Sequence, residues 1–151
     1  MRNDLSDEYL QRLGIGFNQA IPHNVDVGVQ AVHVSQGDVT SKLPYQPHFL
    51  ADPVAGLINT GVVTSLADSS CGLAVYSAIG GGERIATLDL RIDYLRAALA
   101  GSDLYCRAIC ERETDCIVFV SAEVYQQEGL PVAKAQASFM RNGRSHRPVA
   151  V

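Results

Sequence analysis

Between Asn59 and Ala78, the apolar residues Val62, Val63, Leu66, Leu73 and Ala74 recur at three- and four-residue spacings. That is the stripe a helix buries. Asn59 suits the N-cap, because its side-chain oxygen accepts from a free backbone N–H of the first turn, and Gly80, Gly81 and Gly82 stop the helix beyond Ala78. At 1.5 Å per residue the element spans about 30 Å, the width of a small domain. The stretch Asp52–Ala78 therefore predicts the central core helix. Its single internal charge, Asp68, lies off the stripe among the small residues Gly61, Thr64, Ser65, Cys71, Gly72 and Val75. Another backbone or a ligand can approach such a face closely.

The flanking pattern predicts strands. Ser6 caps a short helix over Asp7 to Leu13, with two acids in its first turn and Gly14 and Gly16 ending it. Phe17 to Asn24 reads as a loop broken by Pro22, so residues 1–24 form an N-terminal helix and loop. Val25, Val27, Val29, Ala31 and Val32 predict a strand to about Ser35, which turns at Gln36-Gly37-Asp38 into a second strand, Val39 to Leu43. Pro44 and Pro47 make Tyr45 to Ala55 irregular. After the glycines the period becomes two over Ile85 to Tyr94, the pattern of a strand with one wet face. Leu104 to Glu113 and Cys116 to Gln126 predict a hairpin around Thr114-Asp115, and Val132 to Phe139 a last strand before a polar, basic tail that includes residues 142–151. The expected class is α+β, with a mainly antiparallel sheet of six strands curled around one helix.

Composition adds limits. The 151 residues fit a single domain able to bury roughly 70% of its unfolded surface. A net charge of -4 argues against general nucleic-acid binding, which needs a basic face. The N-terminal stretch lacks the basic start and apolar middle of a signal peptide, and Asp68 interrupts the best apolar run, so a cytoplasmic location is expected. Cys71, Cys106, Cys110 and Cys116 match no common zinc spacing and are expected to be reduced thiols.

Gly56-x-x-Asn59-Thr60-Gly61, followed by four residues and Leu66-Ala67-Asp68, resembles the G-x-x-H-G-G-x4-L-A-D signature of the hotdog-fold acyl-CoA thioesterases, in their PaaI-like, phenylacetate-pathway branch. Asp89 to Arg96 and Ala137 to Arg141 resemble that family's third and last strands, so the resemblance covers about residues 25 to 145. It implies a single hotdog domain over 1–151, a sheet wrapped around a central helix, and a homodimer or dimer of dimers with paired active sites at the interface. By position it makes Asp68 the carboxylate that activates water or attacks an acyl-CoA thioester, and Thr60 and Gly61 the backbone donors to the carbonyl oxygen. Thr87 falls where relatives hold a water-positioning hydroxyl. No metal or redox cofactor is implied, coenzyme A being part of the substrate. Three positions depart from the pattern: Asn59 replaces the family histidine, Thr60 its first glycine, and Pro53 a loop asparagine.

The physical argument runs alongside. Thioester hydrolysis needs a base or nucleophile and donors aimed at the developing oxyanion, and a helix start supplies free N–H groups and partial positive charge. Asp68 lies about 12 Å along the same helix from that start, too far to meet the same carbonyl, so a symmetry mate must supply the other half. The plain alternative for Asp68 is an acid paired with an arginine or capped by a hydroxyl such as Thr64. His48, Phe49 and Pro53 resemble the H-F-P segment of hotdog dehydratases, but the acid those enzymes place about fourteen residues later is Val62 here. Tyr45, His48, Phe49 and Leu50 line an acyl pocket or plug the end of the core. Arg91, Arg96, Arg141, Arg144, His146 and Arg147 are candidate ligands for the coenzyme phosphates.

Overall fold

The computed structural model describes residues 5–142. The elements are α1 (Asp7–Ala20), α2 (Pro22–Val27), β1 (Gln30–Ser35), β2 (Asp38–Leu43), β3 (Leu50–Asp52), β4 (Leu57–Ile58), α3 (Thr60–Ala78), β5 (Ile85–Tyr94), β6 (Leu104–Glu113), β7 (Ile117–Gln127) and β8 (Leu130–Arg141). Six strands form one antiparallel sheet in the order β1-β2-β6-β7-β8-β5, and β3 and β4 pair apart from it. Among the described residues no helix is long and apolar enough to cross a membrane.

The sheet's inner face packs against α3. β7 contributes Val118, Val120, Ala122 and Val124, and β8 contributes Ala133, Ala135, Ala137 and Phe139, all buried. Three alanines in a row on β8 allow the helix backbone to lie close. From the helix come Val63, Leu66, Leu73 and Ala74, as its stripe predicts, together with Ala67; Val62 is only partly buried. Cys71, Gly72 and Val75 are buried as well: Cys71 lies near Cys106 and Cys110 of β6, and Gly72 lies between Phe17 of α1 and Phe139 of β8. This six-stranded sheet with a central helix is the hotdog arrangement that the motif implies.

The N-terminal third differs from the pattern-based expectation. α1 runs through Gly14 and Gly16 to Ala20. A Cβ at Gly14 would lie 2.6 Å from Val34 Cγ2 and 3.1 Å from Ala31 Cβ, so this glycine allows α1 to sit against β1 and does not stop the helix. Where a loop and strand start are expected, Pro22 begins α2 at its first turn and Gly28, at φ 87°, closes it. Val25 and Val27 are therefore helical, and β1 starts only at Gln30. The expected irregular segment Tyr45 to Ala55 contains a turn of 3-10 helix, Pro47–Phe49, and β3, whereas the stretch expected to be helical from Asp52 becomes so only at Thr60, because after Asp52 the chain turns back as β4 against β3.

β5 carries a further irregularity. The register with β8 runs Thr87↔Phe139 and then Asp89↔Ser138, leaving Leu88 as an extra residue. This bulge switches faces. Ile85 and Thr87 face α3 before it; Leu90, Ile92 and Tyr94 do so after it, opposite Ala137, Ala135 and Ala133. A strict two-residue alternation from Ile85 to Tyr94 thus breaks at Leu88. β5 is also an edge of the sheet, and Leu88 is 53% exposed.

Candidate active site

The start of α3 is built from its cap outward. Asn59 Oδ1 accepts from Gly61 N–H at 2.7 Å. Its own N–H donates to Phe49 O at 2.8 Å, and Ile58 N–H donates to Ala98 O at 2.9 Å. Phe49, 4% exposed and edge-on to His48 at 4.8 Å, thereby holds the helix start as a core plug, while His48 stays at the surface. Thr64 Oγ1 donates to Thr60 O at 3.1 Å and lies 2.6 Å from Tyr94 Oη, which ties the first turn to β5.

The two expected backbone donors are not equivalent. Gly61 N–H is occupied by the Asn59 side chain. Thr60 N–H has no protein acceptor among the described residues. Beside them opens a cavity of about 440 Å³, whose lining includes Asn59, Thr60, Tyr94 and Arg96. Arg96 is oriented there by its Nε–H, which donates to Pro131 O at 2.9 Å.

Two turns further along α3, Asp68 is half-buried and its Oδ1 accepts from Thr87 Oγ1 at 2.9 Å. The hydroxyl that meets it is on β5, not Thr64 of its own helix, and no arginine pairs with it among the described residues. The bulge at Leu88 makes the contact compatible with the rest of the strand, since Thr87 and the apolar residues after it share one face. Asp68 therefore carries one filled and one unfilled oxygen at an open face of α3. Ser65, one turn earlier, has its Oγ 3.1 Å from His23 Nε2 on α2. Neither His23 nor Tyr94 stands out in the sequence, because each reaches α3 through a tertiary contact and belongs to no motif.

The other expected groups separate from this cluster. Arg141 is 14% exposed and is gripped by two carboxylates, Glu83, with its Nε–H at 3.0 Å from Oε2, and Glu113. The hydrogen bond it donates to Glu83 leads the causes that push its pKa up. It joins the start of β5 to the ends of β6 and β8. Arg91 lies on the outer sheet face and pairs with Asp93 at 3.3 Å. Arg144, His146 and Arg147 lie outside the described residues. All four cysteines are free thiols, and burial pushes the Cys106 thiol up to about 12. Among the described residues no group of three or more His, Cys, Asp or Glu is placed to hold a metal ion.

Residues 55–133 match the thioesterase superfamily. A Pseudomonas aeruginosa protein of known structure is 32% identical, with 89% of this chain and 99% of that one aligned and a TM-score of 0.79. The chain belongs to the thioesterase superfamily. A phenylacetic acid degradation-related protein from Ralstonia eutropha is 29% identical over 80% of this chain and 90% of its own, with a TM-score of 0.70. The Escherichia coli PaaI protein from the phenylacetic acid degradation operon shares the fold at 18% identity, over 91% and 96% of the two chains, with a TM-score of 0.81. None of the curated proteins matches the chain.

Proposed function

We propose that this thioesterase-superfamily protein hydrolyses an acyl or aryl thioester of coenzyme A to the free acid and coenzyme A. Its active site would lie at the interface of a cytoplasmic homodimer or dimer of dimers. The observation that carries the reading is the Thr87–Asp68 hydrogen bond, which orients a carboxylate on an open face of the central helix. Acting as general base, Asp68 takes a proton from water as the water oxygen bonds to the thioester carbonyl carbon. Acting as nucleophile, it bonds to that carbon itself, and after the thiolate leaves, water hydrolyses the resulting acyl-Asp68 anhydride to the free acid and the restored carboxylate. The Thr60 N–H of the partner's α3 would receive the oxyanion, joined by the Gly61 N–H once the Asn59 side chain turns away from it, and collapse of the oxyanion breaks the C–S bond and releases the thiolate. The exposed edge of β5, with Leu88 outward, supports pairing with a second copy. Arg96, beside the helix start, would meet the coenzyme phosphates.

One observation favours a second reading, a non-catalytic acyl-CoA-binding or assembly module: Asn59 occupies the Gly61 N–H that an oxyanion needs. A panel of short, medium, long and aromatic acyl-CoA thioesters with detection of free thiol separates the two. Release of thiol from at least one class supports hydrolysis; binding without release across the panel supports the module.

A further inference from the structure

We propose that His23, acting through Ser65, positions the water that Asp68 activates. The inference rests on the thioesterase reading and on its general-base form.

α2 is tied to α3 and α1 by buried side-chain hydrogen bonds. Asn24, 1% exposed, donates through Nδ2 to Asn18 Oδ1 at 3.1 Å and accepts at Oδ1 from Ser69 Oγ at 2.7 Å. This buried chain of amides and hydroxyl links α1, α2 and α3. In such a chain each member fixes its neighbours, because an unmade buried hydrogen bond is costly. His23 is the residue next to Asn24, so its exposed ring is carried on a fixed backbone to Ser65 Oγ, 3.1 Å away. Ser65 lies three residues before Asp68, and on a helix such residues are neighbours about 5–6 Å apart at Cβ. Thr87 approaches Asp68 from β5 and takes Oδ1. Asp68 is thus flanked by Thr87 on the sheet side and by the Ser65–His23 pair on the α2 side.

A serine hydroxyl has one proton and two lone pairs. In the tautomer whose Nε2 accepts, the Ser65 proton points to the His23 ring and the Ser65 lone pairs are left for a water beside Asp68. A water there donates one hydrogen to Ser65 Oγ and the other to Asp68, and its own lone pair is left for the thioester carbonyl carbon. As the O–C bond forms, Asp68 takes the shared proton. Ser65 and His23 keep theirs throughout, so both are positioning residues. The imidazole missing at Asn59 would in this way be matched by one from a different helix.

The test compares His23→Ala, Ser65→Ala and His23→Gln with wild type and with Asp68→Asn, using the acyl-CoA that wild type hydrolyses fastest. Loss of water positioning should lower kcat about tenfold in both alanine variants, leave KM within about twofold, and leave the Tm near wild type. The glutamine amide reaches the place of Nε2 and can accept the Ser65 proton, so His23→Gln should stay within about threefold of wild-type kcat. A merely structural role would instead lower Tm, or impair alanine and glutamine variants alike. Wild-type kcat in His23→Ala and Ser65→Ala, with Asp68→Asn inactive, overturns this inference and spares the Asp68 reading. Full activity in Asp68→Asn, or no thioester hydrolysis by wild type, overturns both.

Discussion

Thr87 on β5 donates its hydroxyl proton to Asp68 on α3 at 2.9 Å, across nineteen residues of sequence. The bond fixes the carboxylate without neutralising it, because a hydroxyl supplies orientation and no charge.

Removing that hydroxyl leaves Asp68 free to rotate. Thr87→Ala is expected to lower kcat about tenfold or more, and to change stability by less than about 1 kcal/mol, the usual net value of one hydrogen bond. Thr87→Ser, which keeps the donor, should lie near wild type. Steady-state kinetics of the two variants beside a urea titration check this, and equal kcat for both would show that the contact is incidental.

Gly14 marks the closest approach of α1 to β1. A methyl group at this position meets Val34 Cγ2 at 2.6 Å, inside van der Waals contact, and either the helix or the buried Val34 must shift. Gly14→Ala should therefore destabilise by about 1–3 kcal/mol despite alanine's better helix propensity. At Gly16, where nothing lies within 4 Å of an added Cβ, the same change should be neutral or stabilising. Chemical denaturation of the two variants gives opposite signs if the contact governs.

Arg141 serves two partly buried carboxylates, at 10% exposure for Glu83 and 26% for Glu113. Arg141→Met strands Glu83, which should cost about 3 kcal/mol of stability, the scale for removing one member of a buried ion pair. Restoring stability by adding Glu83→Gln would identify the stranded charge as the cause. A loss below 1 kcal/mol in the single variant would contradict it.

Acid sensitivity follows from two depressed carboxyls. Asp38 is held low by hydrogen bonding from Arg107, and Asp103 by the Tyr45 backbone N–H and then by Lys42. A carboxyl whose folded pKa lies below its unfolded value of about 3.9 adds stability above that value and loses it as the pH falls through the folded one. Stability should therefore decline below about pH 4, and less steeply in an Asp38→Asn, Asp103→Asn double variant. Identical slopes would assign acid loss to other groups.

α3 is legible in the sequence because its cap, stripe and glycine stop agree, each through interactions within a turn or two. The four strands after it are legible for the same reason, down to the turn at Thr114-Asp115. Gly14 misleads because its role is a contact with Val34, twenty residues on, whereas helix-breaking is a local property. Val25, Val27 and Val29 imitate a strand's period, but Pro22 and Gly28 decide the backbone. Of the site, Asp68 stands out as a lone charge on an apolar helix, and Thr87 only through the resemblance. His23 stays hidden, since its place depends on α2, which the pattern reads as loop and strand. The occupied N–H of Gly61 depends on which way the Asn59 side chain turns, and composition carries no trace of that.

The most direct measurement is thioester hydrolysis by Asp68→Asn, which keeps the shape and the Thr87 contact but removes the base. Acyl-CoA turnover should fall by a factor of about 100 or more, with the Tm and the binding of a non-hydrolysable thioether analogue close to wild type. Turnover at the wild-type rate in this variant would contradict the account.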